Sequence, residues 1–415
     1  MGGGASGIVA AISAAEMLNG SAEVVILEQN PRIGKKILAT GNGRCNFDNS
    51  DASIDKYYSS DISQAKLMLD TISAYSPVEW FARHGLVYRE EEGRLYPYSN
   101  QASDFLNLLL HWVERLNIKI VTDCKVSEIF RKGQSYGIVC ENGEKLFGEA
   151  VICALGGSAA PQFGTDGFGT RFAKLCGCRI EPVYPCLVAL KCDKSQITGL
   201  SGIRAKANAT LLFDSKPHHT ESGEIQFTDY GLSGIAVMQL SGFLTPKRKS
   251  SDSEISLDLF PHLDESQLFS LLSERAKLFG DSPVSEISTG LINRRIFSAV
   301  WKRLGIGDEH RILSSLSCNE LGLLTKALKD WRFDKLEPTG WQHAQTTGGG
   351  VALSQIDSQN FMLKGCDGLY FVGETLDCAG FCGGFNLHFA FGSGIAAGHH
   401  AAKHLGNSSK KRGKC

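Results

Sequence analysis

The sequence predicts an α/β protein in which both ends of the chain build one parallel sheet and a β-rich, then helical, segment is inserted between them. Three observations predict it. A glycine-rich turn, GGGASG from Gly2, opens a helical stretch. A continuous apolar run, AEVVILEQ, follows and finishes on Glu28. A second apolar run, GLYFVGE, stands near the far end of the chain, ahead of another glycine-rich loop and helix. Apolar runs bounded by turn residues are the pattern of strands buried on both faces.

The first helix is expected from IVAAISAAEML, where Ala10, Ala11, Ala14 and Ala15 make a small-residue face able to lie close against a sheet, and Gly20 and Ser21 end it. Two helical stretches follow, DISQAKLMLDTISAY and SDFLNLLLHWVERL, the second carrying Phe105, Leu106, Leu109 and Val113. From Ile118 to Gly157 the pattern shortens to strands, with Asn142-Gly143 as a hairpin turn. A second core begins near Cys186, where RAKANATLLFD places Ala205, Ala207, Ala209, Leu211 and Phe213 at alternate positions. From Asp264 to about Trp331 the signal is helical; Ser317 and Glu320 form a capping-box pattern ahead of Leu321, Leu324 and Leu328. The closing helix is FNLHFAFGSGIAAGHHAAKHL.

The 415 residues are too many for one compact core. Lys and Arg number 43 against 44 Asp and Glu, so the overall charge favours neither nucleic acid nor an anionic membrane, and the basic tail KKRGKC from Lys410 reads as a solvated end. Thirteen scattered cysteines, with no CxxC pair and no Cys/His grouping at zinc spacing, predict a reducing cytoplasm, no disulfide framework and no metal site. No apolar run is long enough to span a bilayer.

Chemistry concentrates at the two ends. Gly2, Gly4 and Gly7 fit G-x-G-x-x-G, a spacing that permits a tight turn, close approach of backbone to a pyrophosphate and close helix packing. Glu28 stands at the end of the next strand, where a carboxylate can accept the hydroxyls of an adenosine ribose. An extended FAD also needs a second contact region for its ribityl chain and ring, and the stretch from Gly368 to Gly398 supplies one.

At this point the chain resembles the BaiN/YhiN-like family of NAD(P)/FAD-dependent oxidoreductases, a branch of the glutathione-reductase-like flavoproteins. The resemblance rests on GGGASG at Gly2, ILATGNGRCNFDNS at Ile37, RLYPYSNQAS at Arg94, ALGGSAAPQFGTDGFG at Ala154, GEIQFTDYGLSG at Gly223, TTGGGV at Thr346 and GETLDCAGFCGGFNLHFAFGSG at Gly373. It implies a Rossmann-like ββα sandwich that binds FAD, from residues 1–187 and 342–415, with an inserted β-barrel substrate domain at 188–341 carrying a helical subdomain at about 264–331. It also implies that Gly2, Gly4, Ser6 and Gly7 hold the pyrophosphate and Glu28 the ribose. Thr40, Gly41, Asn42, Gly43, Arg44, Cys45 and Asn46 form the loop beside pyrophosphate and flavin, Val126 meets the adenine, and Ala154, Gly156 and Gly157 complete the cradle. Gly373, Glu374 and Asp377 meet the ribityl region; Gly383, Gly384, Phe385, Asn386 and Leu387 lie near the pyrimidine edge, where a helix N-terminus stabilises the charge of reduced flavin.

The sequence departs from the family pattern at Leu155, where Thr is usual, at Asp229 and Ile235, where His and Pro are usual, and at Ala379 and Phe381, which replace acidic positions; these imply a changed pocket. Cys45 and Cys382 are candidates to approach the ring, His343 and His388 to donate protons, and Arg44 and Arg94 to anchor an anion, each weighed against a purely structural role. No catalytic acid is assigned.

Only Met1 precedes the glycine turn. In this fold the first strand sits mid-sheet, and about five buried apolar side chains there at roughly 1.5–3 kcal/mol each rival a domain's net stability of about 5–15 kcal/mol. The expectation is that Met1 is internal or a misassigned start and that an apolar strand precedes it; an in-frame stop directly upstream of Met1 would remove the idea.

The expected function is NAD(P)H-linked reduction of a conjugated, steroid-like enone by hydride transfer through flavin N5, with substrate held between flavin domain and insert. No second G-x-G-x-x-G follows a strand, so NAD(P)H is expected as a transient donor. The alternatives are an oxidase using oxygen, a flavoprotein homologue without turnover, and an RNA-modifying flavoprotein, the last disfavoured by the near-neutral charge.

Overall fold

Residues 1–248 and 253–412 are described by the computed structural model, with side chains as far as Gly406. The basic tail from Lys410 therefore lies outside the described side chains. The chain divides into two compact units: Met1–Cys186 together with Ala344–Cys415, and Leu187–His343.

In the first unit, helix α1 (Ala5–Leu18) starts beyond Gly4, which is extended at φ −86° and ψ −167°, and stops at Asn19, whose left-handed φ of 45° turns its N–H onto the Ala15 carbonyl. Every residue from Ser6 to Ala15 is buried, so α1 is enclosed on all sides, as its near-uniform apolar sequence requires. Strand β1 (Val25–Leu27) pairs in parallel with β2 (Lys119–Val121), Val25 opposite Lys119. Strand β3 (Val151–Cys153) pairs in parallel with β4 (Leu369–Phe371), Val151 opposite Leu369. Met1 and Gly2 lie between the two pairs: Gly2 N–H donates to Leu27 O at 2.7 Å, and Ala154 N–H donates to Met1 O at 2.9 Å. The start and the end of the chain thus share one layer.

The closing helix α2 (Phe385–Arg412) runs against α1 at backbone contact. A Cβ on Gly394 would fall 2.3 Å from Ser6 O, and one on Gly398 would fall 2.2 Å from Ala10 O. Ser13 Oγ donates to Ile395 O at 2.9 Å across the same seam. Only glycine permits this approach. On the other side, Phe47, Phe81, Phe105 and Phe391 fill the core with ring centroids 4.9–5.6 Å apart.

The expected hairpin is present: Ser135–Cys140 and Lys145–Gly148 pair antiparallel around Asn142 and Gly143, the latter at φ +83°. Against the sequence expectation, one disulfide joins Cys124 to Cys140, with Cα atoms 5.9 Å apart. The antiparallel register that sets Val126 opposite Cys140 brings the two cysteines side by side. The other described cysteines form no disulfide.

The second unit holds a seven-stranded antiparallel sheet in the order Trp331–Phe333, Ser253–Asp258, Arg204–Phe213, Lys216–Phe227, Gly231–Ser233, Leu190–Lys191, Glu337–Pro338. Its two terminal strands share no ladder among the described residues, so the sheet does not close there into the expected barrel. Helices Glu265–Leu278, Arg294–Leu304 and Cys318–Lys329 contribute to its apolar core. The Ser317–Glu320 capping box forms as the sequence predicts.

Candidate functional site

The glycine turn opens onto a cleft of ≈130 Å³. Gly2, Gly4, Glu28, Val126, Ala154, Gly156, Gly157 and Glu374, drawn from remote parts of the chain, all line it. Gly7 lies beneath: a Cβ there would meet Gly2 O at 1.9 Å, so Gly7 holds the turn against α1. Gly4 is different, because a Cβ on it would find nothing within 4 Å. A glycine with open space above it, at the first turn of a helix, leaves N–H groups free to meet an anion.

Glu28 is buried, and its carboxylate accepts from Gly3 N–H at 2.8 Å, Asn30 N–H at 2.8 Å and Asn30 Nδ2 at 2.7 Å. Two carboxylate oxygens offer about four acceptor sites, so the group is fixed in place with capacity left for a hydroxyl. Arg32, Lys35, Lys36 and Lys125 add cationic side chains to the lining, and sequence reading missed them. The signal for the first three was the run PRIGKK, which begins at Pro31, three residues beyond Glu28. Lys36 Nζ pairs with Glu374 Oε2 at 2.7 Å, and Glu374 Oε1 accepts from Thr347 N–H at 3.0 Å and Thr347 Oγ1 at 2.8 Å. Glu374 therefore anchors Lys36 at the rim.

The loop from Thr40 to Asn46 takes left-handed backbone at Gly41, Asn42, Gly43 and Cys45, which exposes Gly41, Asn42 and Gly43 and turns Cys45 inward. Thr40 Oγ1 donates to Ile37 O at 2.6 Å, fixing the entry. Arg44, a candidate anion anchor, is instead engaged: its guanidinium lies 4.0 Å over the Tyr96 ring, donates to Asn100 Oδ1 at 2.6 Å and pairs with Glu91. Cys45, a candidate to approach the ring, packs in the core with Phe47, and burial pushes its thiol up to about 12. In the native protein at pH 8 Cys45 is thus expected to resist iodoacetamide, and to react at the rate of a free thiol once urea unfolds the chain; mass spectrometry of the Cys45 peptide checks this.

At the far end, Gly373 has φ +64°, a Cβ on it would fall 2.7 Å from Ser6 Oγ, and its N–H donates to Ser393 Oγ at 3.0 Å. Ser6 of α1 is thus a close neighbour of Gly373. Asp377 is buried and accepts from Ser60 N–H at 2.9 Å and from Ser60 Oγ, so it fixes a loop. Gly383 and Gly384, at φ +130° and +103°, lead into α2. The Asn386 side chain is bound to its own loop, with Oδ1 accepting from Gly380 N–H at 2.8 Å and Nδ2 donating to Gly380 O at 2.8 Å. Phe385 packs on Tyr57, and Leu387 packs against the aromatic core. What this end offers a ligand is accordingly main chain: the first-turn N–H groups of α2 and its positive dipole end. Phe381 stacks on Tyr58 at 4.8 Å, which accounts for an aromatic residue where the family pattern is acidic.

One feature emerges only in three dimensions. His388 Nδ1 lies 2.8 Å from Asp48 Oδ1, and both side chains are buried. Asp48 Oδ2, His388 Nε2 and the nearby Asn46 Oδ1 have no hydrogen-bond partner among the described residues. A Cβ on Gly384 would fall 2.9 Å from that Asn46 Oδ1, so these atoms cluster at the start of α2. Buried polar atoms normally find partners, and this concentration is where a bound polar group fits. His343, the other histidine singled out by sequence, is exposed.

The family described as "HI0933-like protein Rossmann domain" matches residues 1–400. A 3-dehydro-bile acid delta(4,6)-reductase of Clostridium scindens is 33% identical over 97% of this chain and 98% of its own. A ribosomal RNA dihydrouridine synthase of Haemophilus influenzae is 27% identical over 95% of this chain and 96% of its own. Among solved structures, a flavocytochrome c3 fumarate reductase in its open conformation superposes with a TM-score of 0.48 at 14% identity, over 97% of this chain and 77% of that one. With the glycine turn, the carboxylate of Glu28 and the Gly373 loop gathered in one unit, and the family match running through all of them, the chain belongs to the HI0933-like family, the BaiN-like FAD-dependent oxidoreductases that its motifs resemble.

Proposed function

We propose that this protein uses FAD, reduced by NAD(P)H, to saturate a carbon–carbon double bond conjugated to a carbonyl in a small, steroid-like molecule. The observation that carries the reading is the cleft itself, which is lined by a glycine turn, a fixed carboxylate and four cationic side chains, two of them paired with acids. FAD, when bound, supplies the hydride chemistry. The chain supplies position and charge. Gly2 and Gly4 admit the pyrophosphate to the N-terminus of α1, Arg32 and Lys35 balance its charge while Lys36 and Lys125 are paired with Glu374 and Glu141, and Glu28 takes the ribose. The N-terminus of α2 faces the charge that develops on reduction, in a site where buried Asp48 and His388 hold the first turn in place.

The bile-acid reductase and the dihydrouridine synthase carry out related chemistry, since an unsaturated 3-oxo bile acid and uridine each present a double bond conjugated to a carbonyl. The higher identity to the bile-acid reductase and the formal net charge of −1 favour the small molecule. Uridine in RNA is the second reading, favoured by the Haemophilus relative.

Anaerobic titration decides between them. The purified protein is expected to be yellow, to bleach with NADH or NADPH, and to recover colour faster with a 3-oxo-4-ene steroid than with oxygen. Dihydrouridine appearing in incubated ribosomal RNA, with no reoxidation by any enone, would establish the second reading. A folded, colourless protein that takes up no added FAD would end both.

A further inference from the structure

Arg94, the other arginine singled out by sequence, is partly buried, and no hydrogen bond or ion pair reaches its guanidinium among the described residues. The strand register explains why. In the hairpin of Tyr88–Glu91 and Arg94–Pro97, Glu91 stands directly opposite Arg94, but its carboxylate is taken by Arg44 and, at 3.0 Å, by Arg89. On the other flank Asn49 stands opposite Arg94 and donates its Nδ2 to Gly383 O at 2.7 Å. Asp48 and Glu90 both stand opposite Leu95, so they turn to the other face of the sheet, where His388 holds Asp48. Glu92 is exposed at the turn.

Arg94 Nε lies 3.7 Å from where a Cβ on Gly383 would stand, and Gly383 is two residues ahead of Phe385, the first residue of α2. A guanidinium and the positive end of a 28-residue helix therefore stand together, and no described acid pairs with the guanidinium. Cations are favourable at the C-terminal end of a helix and unfavourable at its N-terminal end, so this placement is relieved when an anion arrives. A second observation points to a ligand at the same place. The Asn46 side chain is 8% exposed, makes no hydrogen bond among the described residues, and puts Oδ1 2.9 Å from where a Cβ on Gly384 would stand. A carboxamide offers both a donor and an acceptor, and a polar group lodged against Gly384 would complete it.

We infer that Arg94 anchors a carboxylate of the substrate, gripping it through two parallel N–H···O bonds while the start of α2 adds its positive potential. The inference rests on the reading above in taking the substrate to lie near α2, and it goes further in specifying an acidic small molecule. A neutral analogue would leave the guanidinium as it stands now, partly desolvated and without a partner. Arg44 cannot take the role, because Glu91, Asn100 and Tyr96 already hold it.

The test titrates benzoate, a bare carboxylate probe, and benzamide, its neutral counterpart, into the full chain with excess FAD and follows Tm. Benzoate is expected to bind the parent about 10-fold more tightly than benzamide, Arg94→Gln to lose that preference and Arg94→Lys to keep part of it. Without any probe, Arg94→Gln is expected to melt no lower than the parent, since the lost cation had no partner. Equal affinities of the two probes for the parent would overturn the proposal, as would an undiminished preference in Arg94→Gln, or a clear loss of Tm in that variant without probe. A second arm compares a 3-oxo-4-ene steroid acid with its methyl ester as oxidants of the reduced protein; the acid is expected to show about 10-fold lower KM at similar kcat, in the parent and not in Arg94→Gln. A benzoate preference that depends on Arg94, with turnover of neither steroid, would uphold the anchor and count against the enone reading instead.

Discussion

Alanine at both Gly394 and Gly398 is expected to cost the unit formed by the chain's two ends about 4 kcal/mol, whereas alanine at Gly406, in the same helix, is expected to stabilise it by about 1 kcal/mol. Intrinsic helix propensity favours alanine over glycine equally at all three positions. Contact separates them. A Cβ at Gly394 or Gly398 would lie 2.3 or 2.2 Å from a carbonyl oxygen of α1, and backbone cannot rotate away as a side chain can, so α2 must move outward. Moving it breaks the bond from Ser13 Oγ to Ile395 O, worth about 1 kcal/mol, and loosens Gly373 against Ser6. At Gly406 an added Cβ meets nothing within 4 Å. Against a usual margin of about 5–15 kcal/mol the double substitution is close to unfolding the unit. Urea titrations at unchanged m-value check the sign and size. A double variant with the midpoint of the parent would mean that α1 and α2 do not meet in this way, and the assembly of one layer from remote segments would fall with it.

That seam shows what sequence can and cannot reveal. The helices, the Asn142–Gly143 hairpin and the Ser317–Glu320 capping box were legible because each is set by local chemistry: periodicity, a turn demanding positive φ, a side chain returning to its own backbone. That Gly2, Gly4 and Glu28 line one cleft was legible because the spacing of a glycine turn and a strand-end carboxylate is short-range too. The engagement of Arg44 was not legible, since its partners Glu91, Tyr96 and Asn100 arrive from two later strands and a loop, and nothing near Arg44 in sequence announces them. Asp48 and His388 were invisible as a pair for the same reason. Their 2.8 Å contact exists only after α2 folds back over the Asp48–Asn49 strand. Cys124 and Cys140 escaped because pairing depends on the register of a hairpin, which composition does not encode.

The sharpest test of the nucleotide cleft separates fold from ligand at one residue. A Gly4→Val chain is expected to keep its stability within about 1 kcal/mol yet to bind FAD at least 100-fold more weakly. Gly4 is extended, not left-handed, so valine adopts its backbone without strain, and the added Cβ projects into open space. In the free protein little is disturbed. A pyrophosphate seated on the first turn of α1 would occupy that same space, and over-packing there costs about 1–3 kcal/mol, to which loss of close N–H contact adds. Gly7→Ala makes the contrast, because its Cβ would strike Gly2 O at 1.9 Å whether or not FAD is present, and that chain is expected to lose stability and binding together. Calorimetric FAD titration beside thermal melts of the unliganded chains reads both quantities. If Gly4→Val were to bind FAD as tightly as the parent, the phosphates would lie elsewhere, and the glycine turn would be only the packing device that Gly7 shows it to be.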